Sequence, residues 1–166
     1  MKANDEDKFQ YELMRNQLEV RDIVDPAQFN QNLAFSAVQG PIEEKALNML
    51  KFLVAMGVDF RQKDNLKQTP LFYASKLGHL KIIRILLENG LNINDIDIYG
   101  QNAIYYAVNS GKVEAVKLLH QLGSTVDHID ENGQTPIYYA IKANKPEIIE
   151  YLLQHGANIE NQDKRG

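Results

Sequence analysis

Four glycines, Gly57, Gly90, Gly123 and Gly156, stand at a constant interval of 33 residues. Asp64, Asp97, Asp130 and Asp163 keep the same interval, each seven residues after one of those glycines. Ala74, Ala107 and Ala140 keep it as well. Three residue types locked to one period describe stacked supersecondary units, each unable to bury its apolar face alone. The chain is therefore read as a solenoid.

The last complete copy shows what one unit contains. Asp130-Glu131-Asn132-Gly133 reads as a hairpin turn, with Asn-Gly supplying the positive φ that such turns need. Thr135 is placed to cap a helix and Pro136 to occupy its first position, where a missing N–H costs nothing. That helix runs from Ile137 to about Lys142 and breaks near Asn144, a residue tolerant of the left-handed conformation. Pro146 opens a second helix, whose residues Ile148, Ile149, Leu152 and Leu153 have helical spacing and which Gly156 ends. In the middle copy Asn102 replaces the threonine, keeping a capping side chain, and Ala103 replaces the proline. Lys67 stands where Gly100 and Gly133 stand later. A lysine there must accept an unfavourable φ or reshape the turn, so the first hairpin is expected to be the least regular.

The residues Asp-Asn-Leu-Lys-Gln-Thr-Pro-Leu-Phe-Tyr-Ala-Ser-Lys-Leu-Gly-His-Leu (64–80) resemble the turn, Thr-Pro-Leu-His helix start and Gly-His inter-helix turn of the ankyrin repeat family, and Asp130 to Ile141 repeat the match. The resemblance covers about residues 32–166 and implies an all-α solenoid of helix-turn-helix units joined by short hairpin loops. It also exposes a departure. The histidine that usually follows Thr-Pro-Leu is here Phe72, Tyr105 and Tyr138, so the Thr–His hydrogen bond between neighbouring helices is absent, with the two tyrosine hydroxyls as partial replacements.

On this reading residues 1–24 form an N-terminal helical cap (Phe9, Leu13, Val20, with Asn4 or Asp5 at its start), and residues 25–63 a degenerate first repeat with helices opening at Asp25-Pro26 and Pro41. That first repeat carries about four extra residues in its helical region. Regular repeats follow at 64–96, 97–129 and 130–162, and 163–166 match the opening of another in phase. The chain is accordingly expected to be a fragment with a further repeat after Gly166, leaving part of an apolar face at Ile148, Tyr151 and Leu152 uncovered.

Composition narrows the function. There is no cysteine, which removes disulfides and thiolate chemistry, and the net charge is −4, which argues against nucleic acid. No run approaches the length of a membrane span, and the acidic start MKANDEDKFQ is not a secretory signal. An intracellular protein, cytoplasmic or nuclear, is the expectation. None of Ser36, Ser75, Ser110 and Ser124 lies in a Gly-x-Ser-x-Gly elbow, and no phosphate-binding glycine loop occurs. The run Asp95 to Tyr106 fails as a calcium loop at its fifth and twelfth positions. His79, His120, His128 and His155 never fall at ligand-pair spacing. His120 takes a position held by Val54, Leu87 and Leu153, near a helix end that favours its charged form. The aromatic pairs Phe72-Tyr73, Tyr105-Tyr106 and Tyr138-Tyr139 are read as core, with a cation cage as the sharper alternative. No catalytic residue, cofactor or metal is expected.

What remains is recognition. The resemblance implies a concave binding surface of hairpin tips and first helices. Leu66, Leu77, Ile96, Ile98, Tyr99 and Ile129 put apolar side chains there, where nothing in the repeat demands them. Gln101, Glu131, Asn132 and Lys142 are placed as a polar rim. The expected function is a non-catalytic interaction module, a scaffold that binds another protein or peptide segment, in the same chain or another, with no nucleic acid or membrane and as a monomer. The alternative is a regulatory or substrate-docking domain of a larger enzyme, such as a histone methyltransferase or protein acyltransferase, that reads a peptide tail or methyl-lysine.

Overall fold

The computed structural model describes residues 24–25, 31–39, 43–55 and 57–159. Val24–Asp25 (β1) and Gln31–Asn32 (β2) make a short antiparallel pair. Among the described residues eight helices follow: α1 (Leu33–Val38), α2 (Glu43–Ala55), α3 (Pro70–Leu77), α4 (Leu80–Glu88), α5 (Ala103–Asn109), α6 (Val113–Gln121), α7 (Pro136–Lys142) and α8 (Pro146–Gln154). The first helices α1, α3, α5 and α7 stack in one layer, and α2, α4, α6 and α8 stack in a second. Between them lies one continuous core that includes Val38, Leu50, Leu71, Ile83, Ile104, Leu119, Ile137 and Leu152.

The second helices end as their glycines require. Gly57, Gly90, Gly123 and Gly156 all have positive φ, and the next N–H of each reaches back to a carbonyl in the last turn, as Ala157 N–H does to Leu152 at 3.0 Å. Between the helices of each unit, Gly78, Gly111 and Asn144 take the left-handed conformation, so the expectation for Asn144 holds.

Several expectations need correction. Asp25 is paired with Gln31 in extended backbone, and the described helix that holds Ala37 begins at Leu33, while the start expected at Pro26 lies outside the described residues. The helix expected within residues 1–24 lies outside the described residues, apart from the extended Val24, as does the turn at 163–166. Thr69, Asn102 and Thr135 are at the N-cap in extended conformation, yet none caps through its side chain. In each case the N–H three residues on (Phe72, Tyr105, Tyr138) is already taken by the cap residue's own carbonyl, at 3.1–3.2 Å. The buried Asn102 amide instead turns toward Ser124 Oγ, 3.5 Å away.

The uncovered face at the end of the stack also differs from expectation. Ile148 and Leu152 are buried, and Tyr138, Ile141, Leu153 and Ile159 are the exposed residues. Repeat phase explains this. Tyr105 and Val108, one repeat earlier, are buried against α7 and its hairpin, whereas among the described residues no unit follows α8 to cover Tyr138 and Ile141.

The hairpin carrying Lys67 is regular. Lys67 takes φ 59°, beside 72° at Gly100 and 81° at Gly133, and the bonds Asp64 N–H to Gln68 O and Lys67 N–H to Asp64 O, both 2.9 Å, match those of the later turns. The lysine accepts the strain and leaves the turn unchanged. A left-handed residue with a Cβ costs about 1–2 kcal/mol, partly offset in a glycine variant by the freer unfolded chain. Lys67→Gly is therefore expected to stabilise by about 0.5–1 kcal/mol and to raise Tm by about 1–4 °C in a chain of this size. Thermal unfolding followed by circular dichroism checks this, and a lowered Tm contradicts it.

Candidate functional site: the hairpin row

Each hairpin is organised by its aspartate. Oδ1 of Asp97 accepts the N–H groups of Tyr99 (2.8 Å) and Gln101 (3.0 Å), and Asp64 and Asp130 do the same two and four residues on. Oδ2 faces the helices. It accepts the hydroxyl of the tyrosine nine residues later, Tyr73 on Asp64 (2.7 Å), Tyr106 on Asp97 and Tyr139 on Asp130 (2.7 Å). A glutamine of the preceding repeat completes the set. Gln68 Nε2 donates to Asp97 and Tyr106, and Gln101 Nε2 donates to Asp130 and Tyr139, both at 2.9 Å.

The electrostatics follow from these contacts. Burial works against the charge of Asp130, but hydrogen bonds from Gln101, Tyr139 and the N–H groups of Gln134 and Asn132 outweigh it and hold the carboxyl below its ordinary value. Tyr139 is pushed up to about 12, first by burial and then by its bond to Asp130. Tyr106 is also pushed up, by burial and by Asp97.

Backbone bonds join the hairpins into a row. Ile98 N–H donates to Leu66 O and Glu131 N–H to Tyr99 O, both at 3.0 Å. Glycine suits position 100 on two counts, because its φ is 72° and a Cβ would lie 3.0 Å from the backbone nitrogen of Glu131. The Tyr105 hydroxyl lies against the carbonyls of His128 and Gln134 in the following hairpin, so one of the two tyrosines ties neighbouring units as the missing histidine would.

The aromatic pairs pack into the stack between units, except that Tyr138, at its end, is exposed. Phe72 and Tyr105 are buried, and their rings pack edge-on against Tyr106 (5.4 Å) and Tyr139 (5.5 Å) of the next unit. Phe35 packs in the same way on Tyr73 at 5.6 Å, which identifies it as the equivalent of Phe72 in the degenerate repeat. The 33-residue count misses it because that repeat carries four additional residues. The aspartate–tyrosine–glutamine bridges were also missed, although Gln68, Gln101 and Gln134 at four residues past each aspartate, and Tyr73, Tyr106 and Tyr139 at nine, were a sufficient signal.

The expected partner residues divide into two groups. Ile96, Ile98, Tyr99 and Ile129 project from the row with 42, 43, 49 and 52 % of their surface exposed. Glu131, Asn132 and Lys142 are exposed beside them. Leu66 and Leu77 are half-buried, and Gln101 is occupied by the inter-repeat bridge. No group of three or more metal-ligating side chains occurs among the described residues, nor a helix long and apolar enough to cross a membrane. A shallow groove lined by Gly111, Val113, Lys145, Pro146, Glu147 and Ile148 lies at the starts of α6 and α8, away from the row.

On the second-helix layer the fold brings together two histidines that sequence spacing kept apart. The rings of His120 and His155 are 4.9 Å apart, with Tyr151 OH 2.9 Å from His120 Nδ1 and Tyr151 O 2.7 Å from His155 Nδ1. Burial, and then the neighbouring His155, push His120 below its usual value, outweighing the helix-end effect expected to favour its charge. Unfolded chains therefore take up this proton first as pH falls. The contribution of His120 is fully present above about pH 6.5, is lost as pH falls through the lowered folded value, and stability declines with it. His120→Leu, with leucine already at the equivalent positions 87 and 153, is expected to flatten the denaturant midpoint between neutral and mildly acidic pH. An unchanged slope contradicts this assignment.

Comparison with curated proteins gives no match to the chain. The family model for ankyrin repeats in three copies matches residues 7–97, 34–130 and 94–163. With the aspartate-centred hairpins, paired helices and glycine stops already described, that coverage makes the chain a member of the ankyrin repeat family.

Proposed function

We propose that the row of hairpin tips between residues 96 and 132 is the surface on which this protein holds a protein partner. Ankyrin repeats are generally non-catalytic modules of protein–protein interaction. The observation that carries the finer reading is the exposure of Ile96, Ile98, Tyr99 and Ile129 at positions the fold leaves open. The equivalents of Ile98 are Asn65 and Glu131, those of Tyr99 are Leu66 and Asn132, and Lys63 is equivalent to Ile96 and Ile129. The same turn forms with polar side chains at these places, so the apolar ones are not required for the turn. None of the four belongs to the core cluster or to the half-buried residues packed on it. Neighbouring apolar side chains held in water on a rigid frame, with polar residues at the edge, are the usual layout of an interface.

Tyr99 is the aromatic anchor. Tyr99→Ala is expected to weaken partner binding by more than about 1 kcal/mol while leaving Tm nearly unchanged, because its backbone, not its ring, makes the hairpin bonds. The check is retention of proteins from a lysate of the source organism by wild type and by an Ile98→Lys, Tyr99→Glu variant with native melting. A protein held by wild type and lost by the variant supports the surface, and equal retention places the site elsewhere.

A further inference from the structure

The hairpin row is ordered in charge as well as in polarity. The columns that run along it, one residue from each successive hairpin, read Lys63, Ile96, Ile129; Asn65, Ile98, Glu131; Leu66, Tyr99, Asn132; and Lys67, Gly100, Gly133. The 64–68 hairpin therefore presents a cationic tip, the 97–101 hairpin an apolar one, and the 130–134 hairpin an anionic one. Lys63 is balanced by Asp95, 3.0 Å away, which leaves Lys67 as the exposed cation at that end. Glu131 is the exposed anion at the other. Neither has an ion-pair partner among the described residues. On the helix side of the row Lys76, Asn109 and Lys142 place one cation at each end and so do not reverse the order. The ladder bonds from Ile98 to Leu66 and from Glu131 to Tyr99 hold the three tips in fixed sequence, so this order is a property of the folded surface.

We infer that the partner is a linear peptide segment with an apolar centre, an acidic side chain at the flank lying over Lys67 and a basic side chain at the flank lying over Glu131. The apolar centre meets Ile96, Ile98, Tyr99 and Ile129. Exposed ion pairs add little affinity, but complementary charges fix register and exclude like-charged competitors. The charge order therefore acts on which segments bind and in which direction they lie. This inference rests on the hairpin row being the partner surface.

The test is selection of randomised linear peptides, displayed on phage, against the immobilised full chain and three variants shown to melt natively. These are Lys67→Glu, Glu131→Lys, and Ile98→Lys with Tyr99→Glu. Wild type is expected to enrich an apolar motif with acid on one flank and base on the other. Lys67→Glu converts the acidic flank of the enriched peptides to a basic one, and Glu131→Lys converts the basic flank to an acidic one. The Ile98→Lys, Tyr99→Glu variant enriches none of these peptides. Peptides that depend on Ile98 and Tyr99 but carry no flank charge, or flanks that neither charge reversal alters, overturn the charge order and leave the surface standing. Peptides enriched equally by the Ile98→Lys, Tyr99→Glu variant, or no enrichment by wild type, overturn the surface and the charge order together.

Discussion

A carboxylate removed from water is costly unless its oxygens are occupied. In this protein Asp97 and Asp130 each accept four hydrogen bonds from the chain, two backbone N–H groups on one oxygen and a phenol and an amide on the other. The first two close the hairpin, the phenol comes from the helix of the same unit, and the amide comes from the unit before. A single buried side chain thus joins turn, helix and neighbouring repeat. Hydrogen bonds to charged groups are each worth about 1.5–3 kcal/mol, so the arrangement couples adjacent units as well as shaping them. Along a solenoid whose units meet only their neighbours, such coupling is what makes the array behave as one body.

The same bonds free the tips. Because the turn is held by the aspartate and by backbone ladder bonds, the side chains of Ile98, Tyr99 and Glu131 carry none of that structure. Their identity varies between repeats while the turn does not. A surface whose frame is fixed by one set of residues and whose chemistry is set by another can present apolar and charged groups without altering the fold beneath. Preorganised tips of this kind also spare a partner the ordering cost that a flexible loop would impose.

Repeat phase made most of the fold legible. The interval of Gly57 to Gly156 located the second-helix stops, and Pro136 and Pro146 located two helix starts to within one residue. What failed was local chemistry overridden by geometry. Thr135 sits at the cap position but its side chain is not the acceptor, because its own carbonyl takes the N–H first. Lys67 bends to the turn because the bonds that Asp64 makes with Leu66 and Gln68 already define it. Gln101 is polar and near the surface, and only the stack shows that its amide reaches the next unit's carboxylate. Phe35 was hidden by a change of register. The exposed tips were legible because the repeats supply their own control: Asn65 and Glu131 show that Ile98 is not there for packing.

A preorganised partner surface requires the hairpin row to be as firmly built as the helices behind it. Native-state hydrogen exchange at the amides of Ile98 and Glu131 reads this directly, since both donate across the junction between units. The two amides are expected to exchange only with the global unfolding of the stack, alongside core amides such as those of Ile83 and Leu119. Exchange at the rate of a fraying loop would mean that the tips are not held by the aspartate network and that the surface they form is not preorganised.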